Sequence, residues 1–226
     1  MSALPDSRRS VAIEDYAKAI YALARRGDGT VTTTALAERL GVTPASVSSM
    51  VKKLAERGLA SHTPYHGVRL TADGERLALS VMRQHRLLEL YLVEQLGVPP
   101  DRVHEEAEAL EHVLSEDLAE RIAAKLNNPT HDPHGDPIPT ADLVIDEGTT
   151  TSLADMQPGD SGRFVRISDA DPEMLRYLEK LELRLGDRAE ILERQPFGGP
   201  LTVRFGDAKH TLGGALAAAM RIELNP

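Results

Sequence analysis

The residues that carry chemistry in this chain crowd into one stretch, His85 to His112. It holds His85, Glu89, His104, Glu108, Glu111 and His112. On a helix, residues three or four apart share a face. His85/Glu89 is one such pair, His104/Glu108 a second, and Glu108/Glu111/His112 a triplet. If His104 to His112 is continuous helix, its four donors fall within about 100° of arc at 3.6 residues per turn. Clustered carboxylates repel unless a cation holds them together. Imidazoles and carboxylates converging from neighbouring helices build divalent-metal sites. Any one of these residues alone is more simply a solvated Glu or a satisfied His; the set predicts metal. Donors without sulfur suit Mn2+ or Fe2+, and would also take Co2+, Ni2+ or Zn2+.

Helices must position these donors, and the pattern supplies them. Residues 11–26 place Ile13, Tyr16, Ala17, Ile20, Leu23 and Ala24 at helical spacing, closed by Gly27. A Thr-capped helix over about 33–40 stops at Gly41. Thr43 and Pro44 then open another, with Thr as N-cap and Pro at the first helical position. It runs to about Arg57 and ends at Gly58. Two helices joined by a tight Gly-containing turn are a helix-turn-helix. The following ASHTPYHGVRLTADG reads as strand, turn and strand with His66-Gly67 at the tip, which makes a winged helix. A long helix spans about 73–96. A helix pair follows within VPPDRVHEEAEALEHVLSEDLAERIAAKL, residues 98–126, broken near Leu114-Ser115. Its apolar residues Val103, Ala107, Leu110, Val113, Leu114, Leu118 and Ile122 exceed one small domain's needs, so part of that surface is read as a dimer interface.

Residues 127–150 are rich in Pro, Gly, Asn and Asp and read as a linker with little regular structure. His131 and His134 within it are expected to be exposed. Beyond it, GRFVRIS, DRAEILER, LTVRF and AMRIEL look like short strands. A helix from Pro172 to about Leu181 interrupts them, and Gly198-Gly199 and Gly206-Asp207 mark hairpin turns. The fold class is mainly α with a small β domain, a β barrel.

The net charge of −9 divides unevenly. Residues 1–74 hold ten Lys/Arg against seven Asp/Glu, a balance of +3, and the remainder carries −12. The first third is therefore fit to face phosphate despite the acidic total. Zero cysteines exclude disulfides, thiolate metal sites and cysteine nucleophiles. No apolar run has the length to span a bilayer, and MSALPDSRRS has no apolar signal region. A cytoplasmic protein with no membrane partner is expected.

The helix opening at Thr43 carries the candidate DNA-contacting residues. Thr43, Pro44, Ala45, Ser46, Ser48 and Ser49 stand at its start, where small side chains can approach base edges in the major groove. Lys52, Lys53 and Arg57 follow, and His62, His66 and Arg69 lie in the wing, placed to meet phosphate.

Together these residues resemble the diphtheria toxin repressor family of metal-dependent regulators, most closely its manganese transport regulator branch. The resemblance covers nearly the whole chain: Glu14-Asp15-Tyr16, the winged helix, QHRLLELYL, VHEEAEALEHVLSEDL, NNPTHDPHGDPIP and the C-terminal β domain. It implies a winged helix-turn-helix domain at 1–74, a helical metal-binding and dimerisation domain at 75–142, and a linker with an SH3-like barrel at 143–226. It implies a primary metal site of Asp15, Glu108, Glu111 and His112. Iron-responsive members typically have Met at the Asp15 position and Cys at the Glu108 position, so these harder donors follow the manganese pattern. An ancillary site is implied at His85, Glu89 and His104, completed from the β domain by Asp171 and Met174. The best-known members have Gln at the latter position, and Glu173 is the neighbouring substitute. Lys18 departs from two-domain manganese members, which place a carboxylate ligand there, so their binuclear arrangement does not transfer unchanged.

The expectation is a cytoplasmic homodimer that binds palindromic double-stranded operator DNA when loaded with Mn2+ and represses metal-uptake genes. It has no small-molecule substrate and is not an enzyme. Fe2+ is the alternative effector, and Co2+, Ni2+, Zn2+ or Cd2+ would substitute in vitro. The alternative from another class is a carboxylate-bridged metalloenzyme using a metal-activated water, which would leave the winged helix without a purpose.

Overall fold

Apolar residues recurring every three or four positions bury one face of each N-terminal helix. In α1 (Val11–Ala24), Ile13, Tyr16, Ala17 and Ile20 turn inward. They pack with Leu36 of α2 (Thr33–Leu40) and with Val47, Val51 and Leu54 of α3 (Pro44–Glu56). The structure is a computed structural model that describes residues 10–25, 29–63 and 67–224. Both predicted caps form: Thr32 accepts from the Ala35 amide and Thr43 from the Ser46 amide. Gly41 closes α2 at φ +63°, a left-handed conformation that costs a side-chain-bearing residue. Strands β1 (Ala60–Thr63) and β2 (Gly67–Leu70) pair antiparallel, with Ala60 opposite Leu70. Val31 bridges to Val68 and widens the wing. His66 lies outside the described residues.

The chain divides into two compact units. The first comprises Met1–His85, Leu110–Leu118 and Pro139–Val144; the second holds the rest. Helix α4 (Ala72–Leu96) contributes Leu77, Ala78 and Val81 to the first unit's core. In the first unit the segment after Leu110 is not helix. Helix α5 (Val103–Leu110) ends before Glu111, and α6 begins only at Glu116 (Glu116–Lys125). The break thus comes ahead of the expected Leu114-Ser115. Residues 111–113 form a turn, and the Gln84 side chain donates to the Leu114 carbonyl at 3.1 Å. Long-range partners of Glu111, described below, outweigh continued helix.

The second unit's C-terminal part is a six-stranded antiparallel sheet in the order β3-β8-β4-β5-β6-β7. Its strands are β3 (Thr151–Ser152), β4 (Ser161–Ile167), β5 (Arg188–Arg194), β6 (Leu201–Phe205), β7 (Ala208–Leu212) and β8 (Met220–Leu224). Helix α7 (Pro172–Lys180) follows β4 and α8 (Gly214–Ala219) precedes β8. Phe164, Ile191, Val203, Leu212 and Ile222 form the core, and Phe164 meets Phe205 edge-on, ring centres 6.3 Å apart. The sequence pattern anticipated four of these strands; β7, with only Leu212 buried, lacks the alternation that marks a strand.

The loop over residues 131–138 is closely fastened rather than slack. Asp132 accepts from the backbone amides of His134 and Asp136 at 2.8 and 2.9 Å. Arg86 donates to the Pro137 carbonyl at 2.5 Å and lies 3.4 Å from Asp136. Arg166 of β4 lies 3.4 Å from Asp136 and 3.1 Å from Glu147. Gly135 has φ +85°, and a Cβ there would stand 2.0 Å from the Val165 carbonyl oxygen, where β4 bulges. His134 is buried, contrary to the exposed position expected of it, because its carbonyl accepts from the Ile167 amide and draws the residue onto β4. His131 is exposed.

Candidate metal centre

One face of α1 meets the turn after Leu110, and there the first cluster forms. Lys18 follows Asp15 by three residues and Glu14 by four, so α1 presents it beside both. Against them stand Glu111 and His112. His112 Nε2 lies 3.0 Å from Asp15 Oδ1 and 3.4 Å from Glu111 Oε1. Its other nitrogen, Nδ1, bonds Glu14 Oε2 at 2.6 Å. Asp15, Glu111 and His112 each bring a donor atom within 4.8 Å of the others. A carboxylate on the far nitrogen fixes the tautomer and ring orientation of a metal-binding imidazole, and buried Glu14 is placed for that.

Glu111 is fully buried, and burial alone raises a carboxyl's pKa. The hydrogen bond with His85 Nδ1 at 2.5 Å and the Lys18 ammonium at 2.7 Å outweigh that and hold it below its ordinary range. Glu111 is therefore favoured as the anion, the form in which a carboxylate can bind a cation. The contact with Lys18, 93 positions away in sequence, was not anticipated, nor was Glu14 as partner of His112. Helical spacing on α1 could have pointed to both.

A second cluster lies in the second unit. Glu89 on α4, His104 on α5 and Asp169 in the turn between β4 and α7 converge. His104 Nδ1 is 3.2 Å from Glu89 Oε1 and 2.9 Å from Asp169 Oδ2. Hydrogen bonds to Asp169 and then Glu89 push the His104 pKa up to about 10, against some desolvation. Burial raises Asp169, but His104 more than compensates and lowers it. His85 lies one turn before Glu89 on α4, on the same face.

The expected β-domain donors stand elsewhere. Asp171 caps α7, accepting from the Glu173 amide at 2.9 Å, and Met174 packs against the sheet's core. Asp169 occupies the place expected of Asp171. The signal was present in SDADPEM: Pro172 marks the preceding Asp171 as an N-cap, which leaves Asp169 available. The anticipated stripe from His104 to His112 on one helix does not form, since α5 ends at Leu110. Glu108 stays on α5, half exposed, with an oxygen 3.8 Å from His104 Nε2.

The residues expected to face DNA are where the caps put them. Thr43, Pro44, Ala45, Ser46, Ser48, Ser49, Lys52 and Lys53 are all exposed at and along α3, while Val47 and Val51 anchor its other face. Thr43 and Ser46 hydroxyls are 3.0 Å apart, and Ser48 bonds the Pro44 carbonyl. Arg69 is exposed on β2 and donates to Thr30 at 2.7 Å. Among the described residues no helix is long and apolar enough to cross a membrane.

A winged helix with exposed small side chains at its recognition helix, joined to clustered carboxylates and imidazoles, defines a metal-responsive DNA-binding regulator. The comparisons agree. Residues 10–68 match the iron dependent repressor N-terminal DNA binding domain, 71–140 the iron dependent repressor metal binding and dimerisation domain, and 151–224 the FeoA domain. The iron-dependent repressor IdeR of Mycobacterium leprae is 41% identical over 93% of this chain and 96% of its own. The diphtheria toxin repressor of Corynebacterium efficiens is 31% identical over 93% of this chain and 94% of its own. A solved manganese-dependent transcriptional repressor in complex with manganese is 42% identical, with TM-score 0.89 over 94% of this chain and 100% of its own. The chain belongs to the diphtheria toxin repressor family: it is a metal-dependent transcriptional repressor, and not an enzyme.

Proposed function

We propose that this chain is an Mn2+-activated homodimeric repressor, cytoplasmic with the DNA it reads, that binds palindromic operator DNA when metal-loaded and controls metal-ion uptake genes. The observation that carries the choice of metal is the donor set. Asp15, Glu111 and His112 offer two carboxylates and an imidazole with no sulfur among them, and Glu14 steadies the imidazole. Hard oxygen donors suit Mn2+. The 42%-identical repressor solved with manganese supports the same choice.

Asp15 precedes the helix-turn-helix in sequence, and Glu111 and His112 follow it. Asp15, Glu111 and His112 would hold a divalent ion, which would supply the charge their carboxylates need and link α1 to the turn at residues 111–113. That link favours one placement of the recognition helix, and a ligand with higher affinity for one arrangement shifts the population toward it. Glu89, His104 and Asp169 form the ancillary site, with His85 beside Glu89 on α4. Glu108 remains a candidate for the primary site from its position on α5. Leu110, Val113 and Leu118 are exposed apolar residues on one short segment and are the dimer contacts proposed here. Val103, Ala107 and Ile122 are instead buried within the protomer. Fe2+ is the second reading, favoured by relatives described as iron-dependent.

The test is selection of DNA from a random pool by chelator-stripped protein, with EDTA, Mn2+ or anaerobic Fe2+. A palindrome enriched with Mn2+ above Fe2+, and not in EDTA, is the expected result. Stronger enrichment with Fe2+ reassigns the effector, and equal enrichment in EDTA removes metal as the switch.

A further inference from the structure

An ammonium group stands inside the cluster meant for a metal ion. Lys18 Nζ lies 2.7 Å from Glu111 Oε1, the same oxygen that lies 3.4 Å from His112 Nε2. The Lys18 side chain is 20% exposed and Glu111 is not exposed at all, so the lysine compensates a carboxylate that water cannot reach. Lysine is suited to this: a compact charge on a flexible four-carbon stem, able to hold a site or withdraw from it. Glu14, Asp15 and Glu111 are three negative charges, and Lys18 returns one positive. For these residues alone a divalent ion then brings the sum to zero when His85 and His112 are neutral, and Glu108 adds one more negative charge if it joins them. Without the lysine the same ion would leave a net negative charge, and a stronger pull on the ion.

We propose that Lys18 is a tethered competing cation. Its ammonium occupies Glu111 Oε1 in the metal-free protein, opposes a divalent ion at the neighbouring donors, and so sets the metal concentration at which the centre fills. The proposal rests on Asp15, Glu111 and His112 being ligands.

The test is Mn2+ titration calorimetry on the full chain, stripped of metal, for the wild type and for K18M, K18Q and K18R. Every protein carries Asp169→Ala so that the first centre dominates the signal. Melting temperature in EDTA is measured alongside. K18M is expected to bind Mn2+ more tightly by at least about tenfold, since even full water-like screening leaves that much repulsion between a unit charge and a divalent ion several ångströms apart, and this buried site is screened less. It should also melt earlier in EDTA, because Glu111 has lost its cation. K18Q should follow K18M, since its amide can still donate a hydrogen bond but carries no charge. K18R should match the parent. Unchanged or weaker Mn2+ binding in folded K18M and K18Q overturns the proposal. If Asp15→Asn in the same background titrates like its parent, the ligand reading itself is what fails, and the lysine proposal falls with it.

Discussion

The two donor clusters solve the same electrostatic problem in opposite ways. Around Glu111 the charge is offset by a fixed cation, Lys18, with His85 donating from the other side. Around Glu89 and Asp169 it is offset by a proton on His104, whose pKa is pushed up to about 10. An ordinary lysine titrates well above an ordinary histidine, about 10.4 against about 6.5. The first cluster is therefore offset by a side chain that is cationic by nature, the second by a proton that Asp169 and Glu89 hold on an imidazole. In the metal-free protein they should fail at opposite ends of the pH scale.

The largest effect expected from breaking this contrast is at Glu111. E111Q keeps the shape but removes the charge, and H112A removes the imidazole. Either should lower Mn2+-dependent operator affinity by at least about a hundredfold, following the reach of lost ligands and their outer-shell partners. Fluorescence anisotropy with and without Mn2+ checks this, with circular dichroism confirming the fold. At the second cluster, D169A should remove one metal equivalent or weaken it about tenfold. D171A should leave metal uptake intact and cost only about 1 kcal/mol of stability as a lost N-cap. Calorimetry and thermal melts separate the two variants, and equal metal loss in both would return Asp171 to the site.

The pH contrast is smaller but has a definite sign. The Glu111 pKa is lowered in the fold. Its contribution to stability is present above the unfolded value and is lost as pH falls through the lowered one. The His104 pKa is raised from 6.5 to about 10. Its contribution is full below 6.5 and disappears as pH rises through about 10. With the His104 side chain 40% exposed, solvent screening keeps this under about 1 kcal/mol. Melting temperatures in EDTA should thus fall less on the alkaline side in H104Q than in the wild type. They should fall less on the acid side in E111Q. The smallest effect belongs to Lys52, whose removal should weaken binding to all DNA sequences alike and flatten the salt dependence by about one unit of slope.

The winged helix was legible because its signals are local. Thr43-Pro44 opens α3, Gly41 closes α2, and Val47, Val51 and Leu54 recur along the buried face. The resemblance to the family carried Asp15, Glu111 and His112 to positions that do meet. What escaped depends on contacts distant in sequence. A helical wheel drawn through His104–His112 assumes unbroken helix, and only Lys18 and His85 show why the chain turns at Glu111. Asp169 and Asp171 differ by two positions and share a residue type. The choice between them turned on a capping bond that the proline had already announced. His134 lies in a segment whose composition reads as solvent-facing, yet one backbone bond to Ile167 buries it.

The fastening of residues 131–138 onto β4 has a consequence for modularity. By sequence, one family segment ends at residue 140 and the next begins at 151, which invites a truncation between them. Such a cut would strip Arg166 from Asp136 and leave the Gly135 backbone without the Val165 carbonyl it packs against. The shortened protein would carry a damaged helical region as well as a missing β domain. Any defect it showed would mix the two. Point changes on the exposed faces of the sheet are the cleaner way to learn what the C-terminal domain contributes.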